Sequence, residues 1–228
     1  MISYNSQHRI IIALDCIIFG FDNEDLKVLL IKRDFQPEKG KWSLVGGFLE
    51  PKETLDDSAN RILNYYTGLE NIYMEQVKTF SEIDRDPVDR IISTAYYALI
   101  NIQMHNDDII NQYSAKWFSV SQAPDLIFDH DYMLASAIDK LRIRATTKPI
   151  GFELLPQKFT MRQLQKLYEA IWSTSLDKRN FGNKIKSLDF ISKLDEKDMN
   201  SSKKGSYLYQ FNPAKYEEKS EKEFMLKL

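Results

Sequence analysis

Residues 42–69 fix one unit of the fold before any other part of the chain is read. Trp42 to Phe48 reads as a short strand that runs into the Gly46-Gly47 turn. Thr54 can then cap a helix, with Asp57 three residues later completing a box-like pair and Asp56 complementing the helix dipole. Leu55, Ala59, Ile62, Leu63 and Tyr66 recur at helical spacing and should face a core. Gly68 is placed to stop the helix in a left-handed cap.

Strands surround this unit. Residues 8–20 and 26–33 are rich in Ile, Val and Leu, and the polar connection from Phe21 to Asp25 makes them a hairpin or meander. Gln36 to Gly40 is a loop. Further strands are predicted over Tyr73 to Ile83, Ile91 to Ile102 and Lys116 to Val120, with Asp84 to Pro87 as a turn. Ser93 to Leu99 is apolar at most positions, as a central strand requires. Asp129 to Ile143 reads as a closing helix, so the first part is an α+β sandwich. Thr146 to Pro149 is the predicted linker, and beyond it the texture changes to helices with short turns. The charged residues 195–205 and 215–223 read as a solvated loop and a flexible or weakly helical end.

Charge divides the chain at the same place. The formal net charge of -2 is the sum of two unlike parts. From Lys148 onward there are 16 basic against 11 acidic side chains, a balance of +5; residues 1–147 hold 15 against 22, a balance of -7. An acidic part joined to a basic part fits a sensor joined to a nucleic-acid binder, although a solvated basic surface fits as well. Cys16 is the only cysteine and lies in an apolar run, so it is expected to be a buried inert thiol in a reducing compartment. The run Ile10 to Phe21 is too short for a membrane span and contains Asp15, and no signal-peptide pattern is present. A cytoplasmic protein is expected. His8, His105 and His130 have no paired spacing that suggests zinc.

The second part opens on Thr160-Met161-Arg162-Gln163, a capping-box pattern, followed by an apolar face of Leu164, Leu167, Tyr168 and Ile171. After a short turn at Ser173-Thr174-Ser175, Asp177 caps the segment Lys178 to Leu188. Phe181, Ile185 and Leu188 share its buried stripe, while Arg179, Asn180, Asn183, Lys184 and Lys186 point largely elsewhere. Basic and amide side chains opposite a buried stripe suit a major groove, where Arg and Lys pair with guanine and Asn with adenine. Phe190-Ile191 begins a strand, Lys203-Lys204-Gly205 is a wing tip, and Ser206 to Phe211 is the return strand. Wing lysines would sit on phosphates. A small helical domain that mediates dimerisation or simply packs on the first domain is the alternative.

Gly47, Glu53, Arg61, Leu63, Gly68 and Leu69 have the spacing of a Nudix box, G-x5-E-x7-R-E-U-x-E-E-x-G-U with U aliphatic. Ile62, Tyr65 and Tyr66 stand where the pattern asks for glutamates. Magnesium needs oxygen ligands, so a box of this kind is kept for binding with hydrolysis lost. With Phe159 to Ile171, Leu176 to Phe181 and Tyr207 to Phe211, the chain resembles the Nudix-related transcriptional regulators of bacteria, over nearly its whole length. The resemblance implies a Nudix-type α/β/α sandwich as effector-binding domain over residues 1–147 and a winged helix-turn-helix DNA-binding domain over 148–228. It also implies a ligand-responsive repressor and homodimer on a double-stranded DNA operator. The branch it most resembles is the Bacteroidetes one controlling pentose use, notably arabinose; another branch responds to ADP-ribose. The alternatives are a Nudix pyrophosphatase acting on ADP-ribose or a related derivative, and a protein-interaction adaptor.

The candidate DNA contacts are Arg179, Asn180, Asn183, Lys184, Lys186, Lys203 and Lys204. A sugar needs a few placed polar groups and an aromatic face, and Arg33, Lys41, Trp42, Glu50, Asp89 and Tyr96 are the candidates around the expected cleft. No catalytic residue, metal ligand or cofactor is expected. Arg61 is predicted to pair with Glu53 or a loop carbonyl, and one of Tyr65 and Tyr66 to plug the old metal site while the other packs in the core.

Overall fold

The structure is a computed structural model, described over residues 7–102, 114–148, 150–199 and 204–217. Its centre is a seven-stranded sheet of order β3-β2-β1-β6-β5, with β4 paired to β1 and β7 to β2. The strands are β1 (Ile11–Phe21), β2 (Leu26–Lys32), β3 (Trp42–Ser43), β4 (Val45–Phe48), β5 (Met74–Phe80), β6 (Ile91–Leu99) and β7 (Ala115–Ser119). β1 and β6 run parallel, with Ala13 beside Ser93 and Asp15 beside Ala95. Strand side chains alternate between faces, so β1 serves two cores. Leu14, Cys16 and Ile18 pack with Ala59, Ile62 and Leu63 of α1 (Leu55–Thr67). Ile17, Phe19 and Phe21 pack with Met133, Leu134, Ala137 and Leu141 of α2 (His130–Thr147). Helices on both faces give the sandwich expected from the sequence.

The capping pattern of α1 is realised. Asp57 N–H donates to Thr54 Oγ1 at 3.1 Å, and Thr54 N–H donates to the Asp57 carboxylate at 3.0 Å. Gly68 closes the helix at φ 70°, which a residue with a Cβ adopts only at a cost.

The segment read as one strand over Trp42 to Phe48 is two. Ser43 pairs with Ile31 of β2, whereas Val45 pairs with Cys16 of β1. The chain changes partner at Leu44, which frees the Leu44 N–H from the ladder. Elsewhere the strand begun at Tyr73 stops at Phe80 rather than Ile83, and α2 runs on through Thr146 and Thr147, which were assigned to the linker.

α2 is stapled to the sheet edge through Glu75. Arg144 Nε donates to both its oxygens at 2.9 and 2.7 Å, Lys140 Nζ lies at 3.0 Å, and the Tyr73 and Tyr97 hydroxyls donate at 2.9 and 3.0 Å. Burial alone would raise the Glu75 pKa, but these donors prevail and hold it at about 2 against an ordinary 4.5. A depressed carboxylate stabilises the fold above its unfolded pKa and loses that contribution as pH falls toward its folded value. Glu75→Gln should therefore destabilise the protein by about 1–2 kcal/mol at neutral pH, discounting for solvent screening. Urea unfolding should show the gap between wild type and variant closing as pH drops from about 5 toward 2.

The C-terminal unit packs directly on this sandwich. It holds β8 (Phe159–Thr160), α3 (Met161–Trp172), α4 (Lys178–Lys186), β9 (Ile191–Asp198), β10 (Ser206–Phe211) and α5 (Pro213–Glu217). The sheet order is β8-β10-β9, so β9 and β10 form the expected wing and β8 adds a strand not foreseen. Residues 195–198, assigned to a loop, belong to β9 because they pair with β10 from Ser206. Leu154, Phe159, Leu164, Leu167 and Phe181 share one apolar cluster with Ile17, Phe19 and Leu141. Arg142 of α2 donates to the Ile171 carbonyl and Ser173 Oγ, both at 3.0 Å, and Gln163 Nε2 donates to Asn23 Oδ1 at 3.0 Å. No helix among the described residues is long and apolar enough to cross a membrane.

Candidate functional site

A cavity of about 250 Å³ opens between the first residues of α2, the β2–β3 loop and the C-terminal end of α1. Its floor is Asp15, a carboxylate in the middle of an apolar strand. By alternation Asp15 shares the α2 face with Ile17, which sets it beneath His130 at the start of α2. A buried carboxylate must be paired or hydrogen-bonded. Ser93 Oγ donates to Asp15 Oδ2 at 2.6 Å, His130 Nε2 lies 3.7 Å from Oδ1, and Arg85 Nη2 lies 4.0 Å from Oδ2. The Leu44 N–H released by the strand break donates to His130 Nδ1 at 3.1 Å. Nδ1 is thus the acceptor, so in the neutral ring the proton sits on Nε2, facing Asp15. Arg85 makes a bidentate pair with Asp129, at 2.9 and 2.7 Å. Gly46 leaves room for this floor, since a Cβ there would come within 2.5 Å of Asp15 Oδ1.

The cavity wall at α1 carries Tyr65 and Tyr66, their rings edge to face at 5.0 Å. Tyr65 is 57% exposed at the mouth and Tyr66 packs partly into the α1 core, so neither is a buried plug. Ile62 is buried, and a Cβ at Gly47 would lie 3.1 Å from its Cδ1. Glu53, the surviving acid, is fully engaged. Arg61 donates to its oxygens at 2.9 and 2.7 Å and to the Phe48 carbonyl at 2.9 Å, while Glu50 N–H donates to it at 2.8 Å. The guanidinium holds the Glu53 carboxyl at about 2. Both predicted partners of Arg61 are therefore present. This donor set does not fit magnesium, which needs several oxygen ligands: a hydrocarbon, two phenols and one committed carboxylate do not supply them. Among the described residues no three His, Cys, Asp or Glu side chains converge as metal ligands.

Of the six effector candidates, Arg33 lines the cavity. Its guanidinium lies 3.8 Å from the Phe35 ring centroid and 5.4 Å from that of Phe128. Burial pulls its pKa down, against the carboxylates of Asp86, Asp15, Asp34 and Glu38, which act the other way. The other five lie outside the lining of this cavity. Tyr96 is buried on the α1 face and donates to Asp56 at 2.7 Å, because a central strand has no free face. Trp42 packs edge to face on Phe118 at 4.8 Å. Lys41 pairs with Glu38, Glu50 lies 3.9 Å from Arg61, and Asp89 accepts from the Arg90 N–H at 2.7 Å.

Sequence reasoning missed Asp15, Arg85 and His130 as site residues. Asp15 carried the one usable signal, an acid inside an apolar strand. Cys16, beside it, is buried, and that burial, with Asp15 adding to it, pushes the thiol pKa up.

A second candidate surface lies on the C-terminal unit. The α3 capping box is formed, with Gln163 N–H donating to Thr160 Oγ1 at 3.2 Å and Thr160 N–H donating to Gln163 Oε1 at 2.8 Å. Asp177 caps α4 by accepting the Asn180 N–H at 2.8 Å. Phe181 and Ile185 are buried, which leaves Arg179, Asn180, Asn183 and Lys186 exposed and Lys184 half-buried. Lys204 is exposed at the wing turn, while Lys203 and His105 lie outside the described residues. The wing adds Lys193 and Lys197, which stand 3.4 and 4.8 Å over the Tyr207 ring.

Comparison with known proteins bears on both surfaces. Residues 11–137 match the NUDIX domain family, and residues 151–211 match the NrtR DNA-binding winged helix domain. The "ADPR responsive transcriptional repressor NtrR" of Acinetobacter baylyi is 32% identical over 205 residues, 88% of this chain and 82% of that protein. The "ADP-ribose pyrophosphatase" of Methanocaldococcus jannaschii is 30% identical over 129 residues, 56% of this chain and 75% of that protein. The crystal structure of Shewanella oneidensis NrtR complexed with a 27mer DNA has a TM-score of 0.81 at 26% identity, covering 90% of this chain and 95% of that one. The NUDIX domain of the same protein complexed with ADP ribose has a TM-score of 0.50 at 28% identity, covering 61% and 94%.

Proposed function

The chain belongs to the NrtR-like family, a Nudix domain followed by a DNA-binding winged helix, and on that premise we propose that it is a transcriptional repressor whose effector is ADP-ribose. One observation carries the coupling. α2 begins at His130 in the cavity and, three turns on, grips α3 through Arg142. A ligand that moves His130 moves the helix on which the winged helix rests. This works only if the ligand prefers one arrangement over the other, since equal affinity shifts nothing. A coupling of about 1–3 kcal/mol changes DNA affinity roughly 5- to 150-fold. Two copies reading the halves of a near-palindromic operator complete the proposal.

The effector follows the relatives rather than the branch suggested by the sequence. The Acinetobacter baylyi repressor is ADPR responsive and the Shewanella oneidensis NUDIX domain is complexed with ADP ribose, whereas no comparison supports arabinose or another pentose. The cavity of about 250 Å³ holds only part of ADP-ribose, so the remainder would lie along the open mouth. Hydrolysis is the rival reading, and the Methanocaldococcus jannaschii relative keeps it in view. Ile62, Tyr65, Tyr66 and the committed Glu53 favour binding without turnover.

Gel shifts with genomic fragments flanking the protein's own gene, titrated with ADP-ribose, test the proposal. A sequence-preferring complex that dissociates as ADP-ribose is added, with the ADP-ribose recovered intact in the presence of magnesium, is expected. Magnesium-dependent consumption of ADP-ribose without a DNA complex would establish the pyrophosphatase instead, and arabinose in place of ADP-ribose should leave the complex bound.

A further inference from the structure

We propose that this pocket takes the diphosphate of its effector without a metal ion, on the guanidinium of Arg33. The inference rests on the ADP-ribose reading and starts from the misfit of the old metal site. A diphosphate entering a partly dehydrated cavity needs an opposite charge. A metal held by carboxylates would supply it, but Ile62, Tyr65, Tyr66 and the Arg61-bound Glu53 cannot hold one. The charge must come from a side chain that lines the cavity.

Three lysine or arginine side chains in the described lining qualify: Lys32, Arg33 and Arg85. Arg85 is committed to Asp129 at 2.9 and 2.7 Å. Lys32 directs its ammonium over the Trp42 ring, 5.3 Å from the centroid, and Trp42 lies outside the lining. Arg33 differs from both. Its Nε is buried and has no hydrogen-bond partner among the described residues, and no described carboxylate forms an ion pair with it. Phe35 and Phe128 engage the guanidinium at 3.8 and 5.4 Å, but a ring face does not take up its N–H donors. A guanidinium presents those donors in its plane as a fork that matches two phosphate oxygens. Nε itself is closed off from the cavity, so the donors that a phosphate oxygen of the effector would meet are the terminal N–H groups of the guanidinium.

Calorimetric titration of the full chain with ADP-ribose, in EDTA and again in excess magnesium chloride, tests this. Wild type should bind with the same affinity in both. R33Q should bind about 10- to 100-fold more weakly, the loss of a hydrogen bond to a charged group. R33K, which keeps the charge and loses the fork, should fall between them. K215Q, altered at an exposed cation outside the cavity, should match wild type. Thermal melts without ligand establish that the variants are folded; should R33Q melt early, R33K carries the comparison. Wild-type affinity in R33Q, or binding that requires magnesium in the wild type, would overturn the inference and leave the ADP-ribose reading standing. Absence of wild-type binding under both conditions would remove the ADP-ribose reading, and this inference with it.

Discussion

Arg179→Ala should lower operator affinity by about 5- to 150-fold for each recognition helix, the range for losing one bidentate base contact. Arg179 is the second residue of α4, exposed, in a turn whose N-cap is Asp177. The opposite side of the helix is closed off by Phe181 and Ile185, which are buried against the rest of the unit. A helix held in this way presents the N-terminal side chains that enter a major groove, and Arg179 has the reach and the fork to read guanine. The loss should be specific. Fluorescence anisotropy should show operator binding falling to the level of unrelated DNA, while calorimetry with ADP-ribose is unchanged because the cavity lies on the other unit. An unchanged operator affinity would move the reading face away from this helix.

The largest effect on stability is expected at Arg85. It is 8% exposed, pairs with Asp129 through two hydrogen bonds and stands 4.0 Å from Asp15. Arg85→Met keeps the volume and removes the charge, leaving two carboxylates without their cation. Breaking a buried pair from one side costs about 3–5 kcal/mol. Urea unfolding at neutral pH should show that loss, and Asp129→Asn in the same chain should recover part of it by removing one orphaned charge. A loss below about 0.5 kcal/mol, the size of an ordinary surface change, would mean that the floor is not a connected network.

The parts of this molecule written in local chemistry were legible. The Thr54 and Thr160 boxes, the Asp177 cap and the Gly68 stop each depend on residues within a few positions of one another, and each forms as read. The floor of the cavity is different. Ser93 meets Asp15 across 78 residues, Asp129 meets Arg85 across 44, and His130 meets a backbone amide 86 residues away. Nothing in spacing links them; only Asp15, misplaced among apolar neighbours, pointed there. Tyr96 failed for a related reason. It stands among the candidates around the expected cleft, but β6 is flanked by β1 and β5 and covered on both faces. The choice between effectors was not legible at all, because no residue in the chain separates one sugar derivative from another by its type alone.

One apolar cluster runs from β1 through α2 into α3 and α4, so sensor and reader are not interchangeable cassettes. Severing them near Thr147 would strip oily surface from each half, and a chimera borrowing another protein's reader would have to bring a matching α2 as well. The same continuity makes heat a blunt instrument: the two halves should melt together rather than one after the other.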